Sequence, residues 1–184
     1  RFFNEEGKVI NSNIYSDSGI KISEGIVDET GIKNGPWKEF YEGGELRAEG
    51  SYNNNQPAGK WNYYYQNGRK EQEGSYLRGN IDGVWRWYHQ NGNLWREESY
   101  FNGREDGESV EYDEEGNIVA KGNYINGEKE GFWNYNVGDQ IEEGEYQTGL
   151  ENGIWKYFYN DGSLKFEGEF KQGLAEGKHK FYYP

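Results

Sequence analysis

The chain has 184 residues, 33% hydrophobic and 18% aromatic, with 28 Gly, 3 Pro and neither Cys nor Met. Its 20 basic and 33 acidic residues give a formal net charge of −13, which repels phosphate backbones and anionic lipid surfaces and argues against nucleic-acid and lipid ligands. Without Cys there is no disulfide framework, zinc–thiolate site or Cys nucleophile, and no apolar run approaches the roughly 20 residues that span a bilayer.

A mean hydropathy of −1.20 borders on that of disordered chains, so the core must come from Trp, Tyr and Phe, each of which buries a large area. With no Met, Arg1 is not a translational start. An extracytoplasmic place, periplasmic or surface, after removal of a leader is the expectation, with a cytoplasmic place as the alternative.

In chain order, residues 1–34 carry only fragments of a pattern: Phe2-Phe3 with Gly7 and Val9, then Tyr15 with Gly19 and Glu24-Gly25. They read as degenerate repeats and an N-terminal cap. From Gly35 the motif Gly-x-Trp-x-x-(Phe/Tyr) recurs at Gly59, Gly83, Gly107, Gly131, Gly153 and Gly177, with spacings of 24 residues apart from one of 22. A fixed period means an array in which each unit packs on its neighbours. The units are 35–58, 59–82, 83–106, 107–130, 131–152, 153–176 and a half repeat 177–184, all one continuous domain.

Each unit reads as one β-hairpin. In the unit from Gly83, strands near Val84 to His89 and Leu94 to Phe101 are separated by Asn91-Gly92 and followed by Asn102-Gly103, both turn signals. Gly-x-x-x-Gly spacings such as Gly79 to Gly83 read as connecting turns. In the second strand of the unit from Gly35, Leu46, Ala48, Gly50 and Tyr52 share one face, and Arg47, Glu49 and Ser51 share the other. Glycine weakens a strand unless something needs its space. Trp37, Trp61, Trp85, Trp133 and Trp155 are therefore expected to lie over the bare strand glycines. The unit 107–130 has Ser109 in the tryptophan slot and Asp113 in a tyrosine slot, and is expected to be the weakest. The unit from Gly131 is two residues short, a deletion placed in its first turn.

The run Tyr64-Tyr65-Gln66-Asn67-Gly68, then Glu73-Gly74-Ser75-Tyr76, then Gly79-x-x-x-Gly83-x-Trp85 resembles the bacterial variant of MORN repeats (membrane occupation and recognition nexus). The pattern covers about residues 2–183. Proteins of this type are often labelled YwqK-family antitoxins. The resemblance implies an elongated antiparallel meander of hairpins with a protein-binding role, and no particular partner. Membrane binding does not follow for so acidic a chain.

Chemistry is sparse. His89 takes a slot held by Tyr41, Tyr65 and Tyr159, and His179 takes the tryptophan slot, so both read as structural replacements. Glu49, Glu73, Glu97, Glu143 and Glu167 recur at one slot and form a ladder on a solvated face, not a catalytic pair. No catalytic residue, metal or cofactor is expected, and no non-repeating polar cluster is evident. Surplus aromatics remain, because Tyr63-Tyr64-Tyr65 and Trp87-Tyr88-His89 cannot all point one way. Packing between hairpins accounts for most of them. The candidates for an exposed binding stripe are Tyr63, Tyr65, Trp87, His89 and Trp95.

The sequence thus predicts an all-β chain of about 14 to 16 strands, a twisted or coiled sheet on the order of 70 Å long. The expected function is non-enzymatic protein–protein interaction, as scaffold, adaptor or antitoxin-like binder, with a partner bearing a basic face. A carbohydrate-binding module using exposed rings is the alternative.

Overall fold

In the computed structural model, residues 2–3 and 9–183 are described, with side chains from 11 onward. Gly7 of the N-terminal fragments and the terminal Pro184 lie outside them. The chain divides into two compact units, 1–93 and 94–184.

The first unit holds β1 (Phe2–Phe3), β2 (Val9–Tyr15), β3 (Lys21–Val27), β4 (Lys33–Phe40), β5 (Leu46–Asn53), β6 (Gln56–Tyr64), β7 (Lys70–Leu77) and β8 (Asn80–Tyr88). The second holds β9 (Leu94–Phe101), β10 (Arg104–Tyr112), β11 (Ile118–Ile125), β12 (Glu128–Val137), β13 (Gln140–Gln147), β14 (Leu150–Tyr159), β15 (Leu164–Lys171) and β16 (Leu174–Phe181). Within each unit every strand pairs antiparallel with the next, so the expected all-β meander of hairpins is what the chain forms.

Two kinds of turn alternate, and the sequence specifies both. A longer turn closes the hairpins other than β12–β13: the Tyr65 amide donates to Arg69 O, the Gly68 amide donates to Tyr65 O, and Asn67 Oδ1 accepts the Arg69 amide. A two-residue turn then leads to the next hairpin. There Asn102 and Gly103 take φ of 50° and 86°, the left-handed geometry that matches strand twist. In the short unit Val137 pairs directly with Gln140, so the deletion does fall in the first turn.

The Gly-x-x-x-Gly spacing is not simply a connecting turn. Gly79 belongs to the turn, but β8 has already started at Asn80, and Gly83 lies within the strand at φ +72°. Pairing jumps there from Ser75↔Asp82 to Glu73↔Arg86, a bulge that leaves Gly83, Val84 and Trp85 opposite Gly74.

That bulge builds the core. Trp61 pairs in register with Gly74 of its own hairpin, yet its ring lies over Gly50 of the preceding one, where a Cβ would collide with the indole. Trp85 covers Gly74, Trp133 covers Gly122 and Trp155 covers Gly144 in the same way. Each indole Nε1 donates to a carbonyl ten residues earlier: Trp61 to Ser51 at 3.0 Å, and Trp85, Trp133 and Trp155 to Ser75, Asn123 and Glu145 at 3.1 Å. Tyrosines sit edge-on between successive indoles. Tyr52 is 5.9 Å from Trp37 and 5.1 Å from Trp61, and Tyr146 is 6.1 Å from Trp133 and 5.1 Å from Trp155. A single-layer sheet thereby buries Trp37, Trp61 and Trp155 almost completely. Trp37 also lies over a glycine, Gly25, but its Nε1 is buried without a partner among the described residues.

Candidate functional site

Two departures from the repeat stand out in the second unit. The first interrupts the aromatic row. Counting 24 residues on from Gly74 reaches Glu98, and 24 on from Trp85 reaches Ser109. The glycine under the ring and the ring itself are replaced together. Glu98 is 3% exposed; Tyr100 OH donates to its Oε2 at 2.6 Å, Ser109 Oγ donates to its Oε1 at 3.1 Å, and Arg96 Nε stands 3.9 Å from Oε2. Burial raises the pKa of the Tyr100 hydroxyl, helped by its hydrogen bond to Glu98. Neighbouring slots turn polar as well: Glu111 stands where Tyr63 and Trp87 stand in other units. The tryptophan slot that Ser109 leaves is therefore filled by a carboxyl side chain. The cluster is a buried polar pair: the Ser109 hydroxyl donates to a carboxyl that Tyr100 and Arg96 also approach.

The second departure is on the opposite face. The residue after each motif glycine is Pro36, Lys60, Val84 and Glu108, then Phe132 and Ile154. Phe132 is 57% and Ile154 51% exposed. They line one groove of about 460 Å³ with Glu143, Glu145, Lys156 and Glu167. Phe132 also borders a groove of about 630 Å³ with Ile118 and Ile141, at whose side Lys121 is paired to Glu108 at 2.7 Å. On the same face of the first unit, a groove of about 620 Å³ is lined by Ile26 and Pro36 together with Glu24, Lys38, Glu49 and Lys60. Charge divides as unevenly: residues 94–184 hold 20 acidic and 9 basic residues and residues 1–93 hold 13 and 11, so −13 splits into −11 and −2.

The glutamate ladder is clamped as well as solvated. Glu73 Oε2 meets Lys60 Nζ at 2.9 Å and Lys70 Nζ at 2.8 Å, and Tyr88 OH donates to Oε1 at 2.7 Å. Burial raises the Glu73 pKa, but the three hydrogen bonds outweigh it and bring it to about 2. Tyr64 OH donates likewise to Glu49, and burial together with that bond pushes its hydroxyl up to about 12.

The five residues singled out from sequence are not gathered into one stripe. Tyr63 is stacked on Trp61 at 5.7 Å with its hydroxyl 3.1 Å from that of Tyr76, and Trp87 is 6.0 Å from Trp85, so both belong to the aromatic row. Tyr65 and His89 open hairpin turns. The Tyr65 hydroxyl donates to Tyr88 O at 2.6 Å, a bond between repeats that Tyr41 also makes, to Tyr64 O. Trp95, in the second unit, is exposed at its edge and donates to Glu111 at 3.0 Å. His179 keeps the tryptophan's bond, its Nε2 donating to the carbonyl of Glu169 ten residues back, while Phe166 swings over Gly168. It is the structural replacement that its slot predicts. Among the described residues no group of three or more His, Asp or Glu is placed to hold a metal ion.

Four segments, 33–54, 81–102, 105–126 and 151–172, match the MORN repeat variant. The first, third and fourth each run over one hairpin, β4–β5, β10–β11 and β14–β15. Each of these four segments is similar to a MORN repeat. A comparison with curated proteins found no match. Repeats of this kind suggest a repeat-based binding or scaffold module. Neither Glu98 nor Phe132 was singled out from the sequence; aligning equivalent slots marks both as exceptions, the first inside a matched segment and the second between two.

Proposed function

We propose that the chain is a non-enzymatic module that binds a protein with a basic face. The observation that carries this reading is the −11 charge of residues 94–184, a unit whose repeat tryptophans Trp133 and Trp155 are buried in its own packing. Such a charge steers a basic partner and slows association as salt rises. The test is capture on the immobilised chain at low salt alongside a glycan array. Basic proteins eluted by salt, with no glycan bound, support the reading; salt-insensitive glycan binding without a protein partner contradicts it. A sugar platform needs flat exposed rings, whereas the repeat tryptophans lie against glycine backbone. The antitoxin-like version adds that the captured protein is toxic on its own. Co-expression with this chain then restores growth, and unrelieved toxicity sinks that version alone.

A further inference from the structure

We infer that the groove between Phe132 and Ile154 receives the apolar side chains of an amphipathic, Lys/Arg-bearing helix of the partner protein. The inference rests on the binding-module reading and assigns its surface.

The fold does not require an apolar residue at this slot. Lys60 and Glu108 occupy it in units with the same strand pairing, and there it faces solvent. Phe132 and Ile154 nevertheless expose more than half their area. Exposed apolar groups ringed by polar ones are the anatomy of a docking surface. The ring is acidic, with Glu143, Glu145 and Glu167 around Lys156 in the groove, Glu167 pairing besides with Lys180 at 2.9 Å. A second copy of this unit would bring −11 against −11, and an anionic lipid surface would be repelled in the same way. A basic segment is the complement. Strands β12 and β14 flank β13, so Phe132 and Ile154 stand about 10 Å apart, two strand spacings. That matches residues i and i+7 on one helix face, about 10.5 Å apart.

The test uses the full chain and two fluorescent helical peptides of about 18 residues. One has a leucine face and a lysine face; the other has serine in place of leucine at the same charge. The leucine–lysine peptide is expected to bind at least about tenfold more tightly than the serine–lysine peptide. Phe132→Ser with Ile154→Ser should erase that difference. Leu77→Ser with Val84→Ser, which removes exposed apolar groups from the first unit, should leave affinity within about twofold. Glu143→Gln with Glu145→Gln, which leaves the apolar pair in place, should weaken binding and flatten its salt dependence. Equal affinity for both peptides, or no loss in the Phe132/Ile154 variant, overturns the inference. So does a dimer that this variant dissolves, or binding to zwitterionic phosphatidylcholine vesicles that it abolishes. A lysate protein captured equally by the wild type and this variant overturns the groove while sparing the binding-module reading. Glycan capture without protein capture sinks both.

Discussion

The pair Trp61 and Gly50 and the pair Ser109 and Glu98 occupy equivalent places two repeats apart and solve one packing problem in opposite ways. In the first, a large ring on one strand meets bare backbone on the neighbour and hydrogen-bonds to Ser51 O. In the second, a small hydroxyl meets a long carboxyl side chain from the glycine position. Volume is exchanged across the strand pair, so each pair is complementary only to itself. The Glu98 pair carries a further cost. A carboxyl at 3% exposure depends on Tyr100, Ser109 and Arg96 for its polar contacts, whereas the Trp61 pair needs a single bond.

The contrast can be broken most sharply at the aromatic pair. Trp61→Ala should cost about 3–5 kcal/mol in chemical denaturation, as other large aromatic truncations do, while Ser109→Ala should cost only about 1 kcal/mol, one hydrogen bond. Equal losses would mean that the indole is not the main anchor. Gly74→Ala places a methyl inside the Trp85 ring envelope and should destabilise by about 1–3 kcal/mol. A neutral result would show that the ring can move aside. Tyr65→Phe removes the bond to Tyr88 O and should cost about 1 kcal/mol. At the corresponding Asp113 the carboxylate instead accepts the amides of Glu115 and Asn117 in its own turn, so Asp113→Tyr should not lose stability if an inter-repeat bond forms in exchange.

The smallest effect is in the glutamate ladder. The Glu73 pKa is depressed to about 2, so the stability it contributes is fully present above the ordinary carboxylate range and is lost as pH falls toward 2. With Lys60 largely exposed, screening should hold this to about 1 kcal/mol. Glu73→Gln should flatten the stability profile between about pH 4.5 and 2, and an unchanged slope would place the acid sensitivity elsewhere.

Much of the fold was legible because glycine, tryptophan and turn residues recur at fixed spacing. Trp61 over a glycine, the deletion at 138–139 and His179 as a replacement all followed from slots alone. Two features did not. The glycine of Gly-x-x-x-Gly looks like a turn residue in a sequence, because a bulge and a turn both exploit positive φ; only the pairing of Ser75 with Asp82 separates them. The refilling of the Ser109 slot required comparing Glu98 with Gly74 at the same time, since neither exception explains itself singly. The candidate stripe was less legible still. Consecutive aromatics such as Tyr63-Tyr64-Tyr65 suggest spare rings, but one joins the tryptophan row, one binds Glu49 and one bonds to the next repeat. Phe132 and Ile154, isolated among polar neighbours, drew no attention without the slot alignment.

The most direct measurement is a double-mutant cycle on Glu98→Gly and Ser109→Trp, read by chemical denaturation. Each single change should destabilise, the first by leaving a void and two orphaned hydroxyl partners, the second by forcing an indole against Glu98, by about 2 kcal/mol or more each. Together they rebuild the Trp-over-Gly pair, so the double variant should return to wild-type stability or exceed it, with a coupling energy of about 3 kcal/mol or more. Losses that add to within about 0.5 kcal/mol would contradict the claim that the two positions form one complementary unit.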